Sequence, residues 1–417
     1  MKIIKANRVL LGVLVMVTAK GTAQTVNTGE LTIKPGTIMS TTGALDNTTT
    51  GDLVNDGELY LYSHYNNDGL VTFSPGYSTG MTRMRGIAAY QDITGSVPME
   101  WNHAEFNNSK AQPAFRLANE VSVAGKAHFE QGIIDDANYG GLMVFENGAS
   151  HLNVTDDSHV QGEVRKNGNE AFIFPIGAGG QYRYAGISAP DNTTDAFTGQ
   201  YFLENSNNSY PHSSKEGVII TIDDTEYWSI DKTEGNSNVF LTLSWDEDTT
   251  PSNIFAAPYE EIHIVRWDAS QNLWVDEGGA ANPDTKEVTM VLDPLKAYGI
   301  FTLARVKTEM ILSCSGKGIV VYNAVSPNED GINDYFNIDG IQECTNNTVE
   351  IYNRWGVKVY ETKAYNTSGN VFKGISEGRA TVNKGEQLPE GTYFYIINLV
   401  NDAGKNVNKA GYLYIKE

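Results

Sequence analysis

The chain has 417 residues, with 51 Asp and Glu against 30 Lys and Arg, a formal net charge of −21. So acidic a surface repels phosphate backbones and argues against a nucleic-acid partner. Apolar residues are 40% of the chain and aromatics 10%, enough for more than one core, and the length suits several units.

Lys2, Lys5 and Arg8 precede an apolar run over residues 9–17, followed by the small residues Ala19, Gly21, Thr22 and Ala23. That is the layout of a secretory signal peptide over residues 1–23, with cleavage expected just after Ala23 or Gln24. The apolar run is too short to cross a bilayer. No later segment resembles a transmembrane helix, so the mature chain is expected to be soluble or surface-attached.

From Thr25 onward strand signals dominate. Glu58-Leu59-Tyr60-Leu61-Tyr62 alternates, as does Val121-Ser122-Val123, and Gly, Asn or Asp lie close to such runs. Helical periodicity of useful length is absent, so the expected class is all-β and multidomain. Within residues 24–162, Asn55-Asp56-Gly57 and Asn67-Asp68-Gly69 stand twelve residues apart, each ahead of a short apolar strand. Such corners suit the coils of a β-solenoid. Asp-Gly equally suits the hairpins of a β-sandwich, and the irregular spacing of Gly132, Gly141 and Gly148 leaves both readings open.

Residues 163–306 read as a central β-sandwich, with strands at 172–177, 182–187, 217–222, 227–230, 239–245, 261–267 and 288–292. Residues 307–319 read as a connector. In residues 320–417, Val349, Ile351, Val357 and Val359 alternate with Glu350, Tyr352, Lys358 and Tyr360 around Asn353-Arg354-Trp355-Gly356, a hairpin closed at glycine. Residues 393–400 are apolar on both faces except at Asn398, as in a central strand. About seven strands fit here, the number of an Ig-like sandwich. Cys314 and Cys344, the two cysteines of the chain, flank one loop and are expected to pair in an oxidising compartment.

Candidate chemistry is sparse. Asn328, Asp330, Gly331, Asn333 and Asp334 resemble part of a calcium loop, with Asn328, Asp330 and Asp334 as the ligands. With Gly331 as the invariant glycine, Ser326 and Asn337 fall where carboxylates belong, so the match is incomplete. Asx turns that merely shape the loop are the competing reading. Gly374-Ile375-Ser376-Glu377-Gly378 has the spacing of a nucleophile elbow, but no histidine follows it and no helix is expected, so it is rejected. The seven histidines show no ligand spacing and read mostly as surface or turn residues. Asp246-Glu247-Asp248 reads as a solvated loop. Some of the 22 tyrosines and 6 tryptophans could stack on sugars from a β surface, although most should pack in cores.

Three segments near the C-terminus carry a resemblance. They are the loop Ser326-Pro327-Asn328-x-Asp330-Gly331-x-Asn333-Asp334, the hairpin Tyr352-Asn353-Arg354-Trp355-Gly356 and the strand Leu388-Pro389-x-Gly391-Thr392-Tyr393-Phe394-Tyr395. In this order and position, residues 320–417 resemble the gliding motility-associated C-terminal domain, the type B sorting domain of the type IX secretion system. The main departure is Glu329, where such domains usually carry Gly. The resemblance implies export through the periplasm and the outer membrane of a Bacteroidota-type bacterium to the cell surface or the exterior. It also implies a type IX translocon and an outer-membrane secretion partner. The cargo, residues 24–306, is expected to be an adhesive or structural protein rather than an enzyme, with a glycan as the ligand class its aromatics would suit. The rival expectation is a secreted polysaccharide-active enzyme with its acid and base in residues 163–306, because catalytic carboxylates converge in space rather than in sequence.

Overall fold

The computed structural model describes residues 24–307, 313–314, 317–344, 346–377, 385–400, 404 and 406–416. Residues 1–23, read above as a signal peptide, lie outside them. The described chain is almost entirely β.

Residues 25–167 wind as a parallel β-solenoid. Each coil lays down three strands, one in each of three sheets: Thr25–Asn27, Glu30–Ile33 and Ile38–Thr41, then Leu45–Asn47, Asp52–Asn55 and Glu58–Leu61, and onward. Coil stacks on coil through parallel pairing, Thr25 on Leu45 and Leu45 on Tyr65. The solenoid alternative therefore holds for the N-terminal region. The Asn-Asp-Gly corners at 55–57 and 67–69 follow strands of different sheets, so their spacing is not the repeat. Asn27, Asn47 and Asn67 recur at 20 residues, whereas the step from Asn66 to its partner Thr94 in the next coil is 28.

Those asparagines form a buried ladder. Asn27 Nδ2 donates to Asn47 Oδ1 at 2.8 Å, and Asn47 Nδ2 donates to Asn67 Oδ1 at 2.8 Å and to the Gly51 carbonyl at 3.1 Å. Asn67 Nδ2 then reaches the Val97 carbonyl at 2.9 Å. The ladder cannot continue to the next coil, because Gly95 lies there with φ of +131°, and a Cβ on it would meet the Asn67 carbonyl at 1.9 Å. Each rung satisfies corner amides and carbonyls that burial would otherwise leave unpaired.

Inward side chains stack along the solenoid axis. An aromatic series runs from Trp101 through Phe106, Phe129 and His151 to Phe172 and Phe174, with successive ring centroids 6.1, 5.8, 6.2, 5.5 and 5.2 Å apart, within the range of favourable aromatic pairs. His159 is buried in the core and His151, partly buried, packs its ring into this series, so these two stand apart from the mostly surface reading of the histidines. His159 is fully buried, and burial lowers its pKa.

The solenoid passes into the central sandwich without a break. Strand Val164–Asn167 pairs in parallel with Leu142–Phe145 on one side and antiparallel with Ala196–Phe202 on the other. One sheet of 13 strands thus runs through both units. A second sheet, of strands Phe172–Ile173, Ala185–Ile187, Leu241–Ser244, Glu287–Thr289 and Ala280–Asn282, covers it. Leu241, Leu243 and Val288 meet Phe197, Trp228, Ile230 and Leu303 in the same apolar core as the solenoid interior.

The C-terminal module has its own core beneath a five-stranded sheet of order Ala324–Val325, Asn406–Ile415, Gly391–Val400, Thr348–Asn353 and Lys358–Lys363. Tyr393, Tyr395, Ile397 and Leu399 point into it with Phe336, Ile338 and Tyr365. Cys314 and Cys344, bonded as a disulfide with Cα atoms 5.4 Å apart, belong to the same core. Phe394 faces the other way and packs with Ala410 and Tyr412 on Ala280 and Val291 of the central unit. Asn282 Nδ2 adds a hydrogen bond to Thr392 Oγ1 at 3.1 Å. The two apolar faces of residues 393–400 thus serve one internal core and one contact with the cargo.

Replacing Asn47, fully buried at the centre of the ladder, by Ala leaves Asn27, Asn67 and the Gly51 carbonyl short of partners. Asn47→Ala is expected to cost about 2–3 kcal/mol, seen as a lower urea midpoint for the solenoid transition. An unchanged midpoint would mean that the ladder is not structural.

Candidate functional site: one pole of the C-terminal module

Backbone register gathers the three distinctive C-terminal segments. Val325 and Gly391 both pair with Ile415, and Asn353 pairs with Tyr393. The loop that begins at Ser326, the hairpin that begins at Asn353 and the segment leading into Gly391 therefore share one end of the sheet. The Gly374 carbonyl accepts from the Leu388 amide at 2.7 Å. A Cβ on Gly374 would lie 3.2 Å from Pro327 Cγ, so this glycine lets the loop and the Leu388 segment close on each other.

The loop is built from its own polar groups. Ser326 N donates to the Asn333 carbonyl at 2.7 Å, and Asn328 Oδ1 accepts from Asp330 N at 3.2 Å. Asp330 Oδ1 accepts from Ile332 N at 2.8 Å, and Asp334 Oδ2 accepts from Gly331 N at 2.9 Å. The Asn328 and Asp330 contacts are Asx turns, in which side-chain oxygens stand in for backbone acceptors. Among the described residues no three His, Cys, Asp or Glu side chains are grouped to hold a metal. Asn328, Asp330 and Asp334 do come together, their side chains engaged inside the loop except for Asp334 Oδ1, which is buried without a hydrogen-bond partner.

The hairpin is closed in the same manner. Asn353 Oδ1 accepts from Trp355 N at 2.9 Å and Val357 N at 3.0 Å. Gly356 has φ of +75°, and a Cβ there would come within 3.2 Å of Phe240 on the central unit. The Arg354 guanidinium lies 4.2 Å from the centroid of the Trp355 ring, a stacked cation–π pair on the surface. Clefts of about 290 and about 600 Å³ meet at Thr285, Glu287, Asn353, Arg354 and Trp355. One is floored by Thr242 and Thr289 of the central sheet, and the other is walled by Gly391, Thr392 and Tyr393.

Glu329 adopts φ of +62°, a left-handed conformation. That strains a residue with a Cβ by roughly 1–2 kcal/mol, offset in part by the unfolded-state freedom a glycine would add. Glu329→Gly is accordingly expected to stabilise the module by about 0.5–1 kcal/mol, measured as a raised midpoint in thermal or urea unfolding. A loss of stability would show that the Glu329 side chain contributes more than its backbone costs.

Carboxylates in the central unit form a different kind of site. Asp223 and Glu226 are fully buried. Tyr201 donates to Glu226 Oε2 at 2.6 Å, and Thr250 donates to the other oxygen. Asp223 Oδ1 accepts from Thr225 N at 2.8 Å and Thr225 Oγ1 at 2.7 Å, while Oδ2 has no partner. Burial raises both pKa values, and the Glu226 charge raises that of Asp223 further. Sealed from solvent, this pair cannot touch a polymer chain. Asp246 and Glu247, by contrast, are held at the surface by Lys286. The pH dependence follows from the sign of the shift. Folded Asp223 keeps a proton that the unfolded chain loses above the ordinary carboxylate range, so its contribution to stability falls as pH rises until the folded group also ionises. Asp223→Asn removes this titration. Between about pH 4 and about pH 7.5 the stability of the variant relative to the native chain should rise by about 1–2 kcal/mol. A pH-independent difference in urea midpoint would contradict a raised Asp223.

Compared with models of protein families, residues 319–415 match the CHU_C type IX secretion signal domain. Among curated proteins none matches the chain. The matched span takes in all five strands of the C-terminal sheet, the Asx loop and the Trp355 hairpin, and ends at Ile415, which pairs with Val325 and Gly391. The C-terminal module is a type IX secretion signal domain, and the chain that carries it is exported by the type IX machinery to the cell surface or beyond the outer membrane.

Proposed function

We propose that the exported cargo, residues 24–306, is a rigid adhesive or structural element of the cell surface and performs no catalysis. The observation that carries this reading is the single sheet of 13 strands from the first coil into the sandwich. With one core beneath it, such a sheet gives a stiff body with no hinge between its two units. Binding or spacing at a surface needs that stiffness, and repeated coils about 4.8 Å apart offer side chains in regular rows.

A glycan is the ligand class that the outer face suits. Arg116 lies 3.2 Å from the Tyr90 ring centroid and 5.4 Å from that of Tyr139, whose side chain is exposed. On the neighbouring sheet Arg83 and Arg85 each lie 5.4 Å from the Tyr60 centroid. Aromatic faces held in place by guanidinium groups, with hydrogen-bond donors beside them, match the alternating apolar and hydroxylated surfaces of a sugar chain.

The reading is tested with the mature chain on a panel of bacterial and plant polysaccharides, scoring both retention and release of reducing ends. Retention without turnover is expected, weakened about tenfold in Tyr90→Ala or Tyr139→Ala, a loss of about 1.4 kcal/mol. Released reducing ends would overturn it in favour of a polysaccharide-active enzyme. Binding that survives both substitutions would move the glycan site elsewhere on the cargo.

A further inference from the structure

We propose that the secretion machinery reads this module at the single pole where its loop, hairpin and Leu388–Gly391 segment meet, chiefly through Ile332 and Trp355. The inference rests on the module being a sorting domain and is independent of what the cargo does.

The residues of these segments divide into two sets. Inward ones such as Ile351, Tyr393 and Tyr395 are explained by the core they fill. The outward ones have no such account. Ile332 is 68% exposed, Trp355 38% and Ile375 38%, large apolar surfaces with no packing role within the module. They nevertheless lie around one end of the sheet, because Val325, Gly391 and Ile415 pair side by side and Gly374 closes on Pro327. At the opposite end the strands finish in Lys363, Asn406 and the partly buried Val400. Three of the module's large exposed apolar residues thus meet on one rim, while Val320 and Tyr322 are exposed apart from it; apolar groups gathered in this way mark a contact surface.

The pole is also preformed. Its loop amides are already bonded to Asn328, Asp330 and Asp334, and the hairpin amides to Asn353. A partner that docks there orders little further backbone, which removes a main cost of binding. Glu329, Asp330 and Glu390 are exposed beside these groups. The partner that fits is therefore a protein receptor of the secretion machinery with an apolar pocket rimmed by basic side chains. The central unit walls the Trp355 side through Thr285 and Glu287. Ile332, more exposed than Trp355, is the more accessible anchor.

The test uses the full chain in a type IX-competent host, with fractionation into periplasm, cell surface and medium. Ile332→Ser and Trp355→Ala, alone and together, are compared with Val320→Ser, an apolar site of intermediate exposure (52%) in the strand that pairs with Ile338–Asp339. The double variant is expected to accumulate in the periplasm with its external fraction down about tenfold. There it should retain the Cys314–Cys344 disulfide and protease resistance, whereas Val320→Ser is exported like the native chain. Export of the folded double variant at the native level overturns the proposal, as does equal loss with Val320→Ser. If the double variant fails to fold, Glu329→Lys with Glu390→Lys, which leaves the loop-building Asp330 in place, supplies the second arm: blocked export supports the pole and native export refutes it. A chain lacking residues 320–417 separates the two levels. If it is retained while the pole variants are exported, only the pole falls; if it too is exported, the sorting role falls.

Discussion

The architecture depends on the two unlike edges of strand Val164–Asn167. On one edge it continues the parallel ladder of the solenoid, and on the other it starts the antiparallel ladder of the sandwich. Lys166, almost fully buried in this strand, meets the Glu146 and Asn167 carbonyls at 2.9 and 2.8 Å and the Glu170 carboxylate at 2.8 Å. An ammonium has three donors, and all three are matched, which makes its burial tolerable. Because the ladder is never interrupted there, aromatic packing also passes through the joint, from His151 to Phe172.

The sorting module joins this body by a different principle. Its sheet turns one face to its own disulfide-containing core and lends Phe394, Ala410 and Tyr412 from the other face to the cargo. The contact is small beside either core, and Asn282 to Thr392 is a hydrogen bond at its margin. At the end of the sheet that carries Ile332, the hairpin also reaches the central unit, with Gly356 beside Phe240, while Ile332 itself is 68% exposed. An export label must be legible while attached to folded cargo, and an exposed Ile332 on a preformed loop meets that requirement.

Some of this was legible residue by residue. The alternation in Val349-Glu350-Ile351-Tyr352 and the Asn353–Gly356 turn mark a hairpin because side chains alternate across a strand and glycine accepts positive φ. Cys314 and Cys344 were readable as neighbours. The solenoid was harder to see, because its strides of 20 and 28 residues differ by corner insertions that leave the stacked strands unchanged. Corner length is free so long as the inward residues return to register. Asn27, Asn47 and Asn67 did carry the true repeat, masked by the more conspicuous Asn-Asp-Gly corners at Asn55 and Asn67. Nothing local to His151 and His159 says that an aromatic stack would partly cover the first or that a close turn would enclose the second.

The sequence by itself determined the all-β class, the C-terminal hairpin and the sorting markers, because each depends on contacts between residues near in the chain or on a motif read in order. Only the tertiary structure decided that the N-terminal region is a solenoid, that it shares a sheet with the sandwich, and that Asp223 and Glu226 are sealed from solvent. It alone brought Ile332, Trp355 and Gly391 to one pole. These features are set by pairings such as Asn67 with Gly95 and Val325 with Ile415, between segments whose separation along the chain carries no fixed spacing. What joins them is shared burial and hydrogen bonding, which appear only when the strands have met.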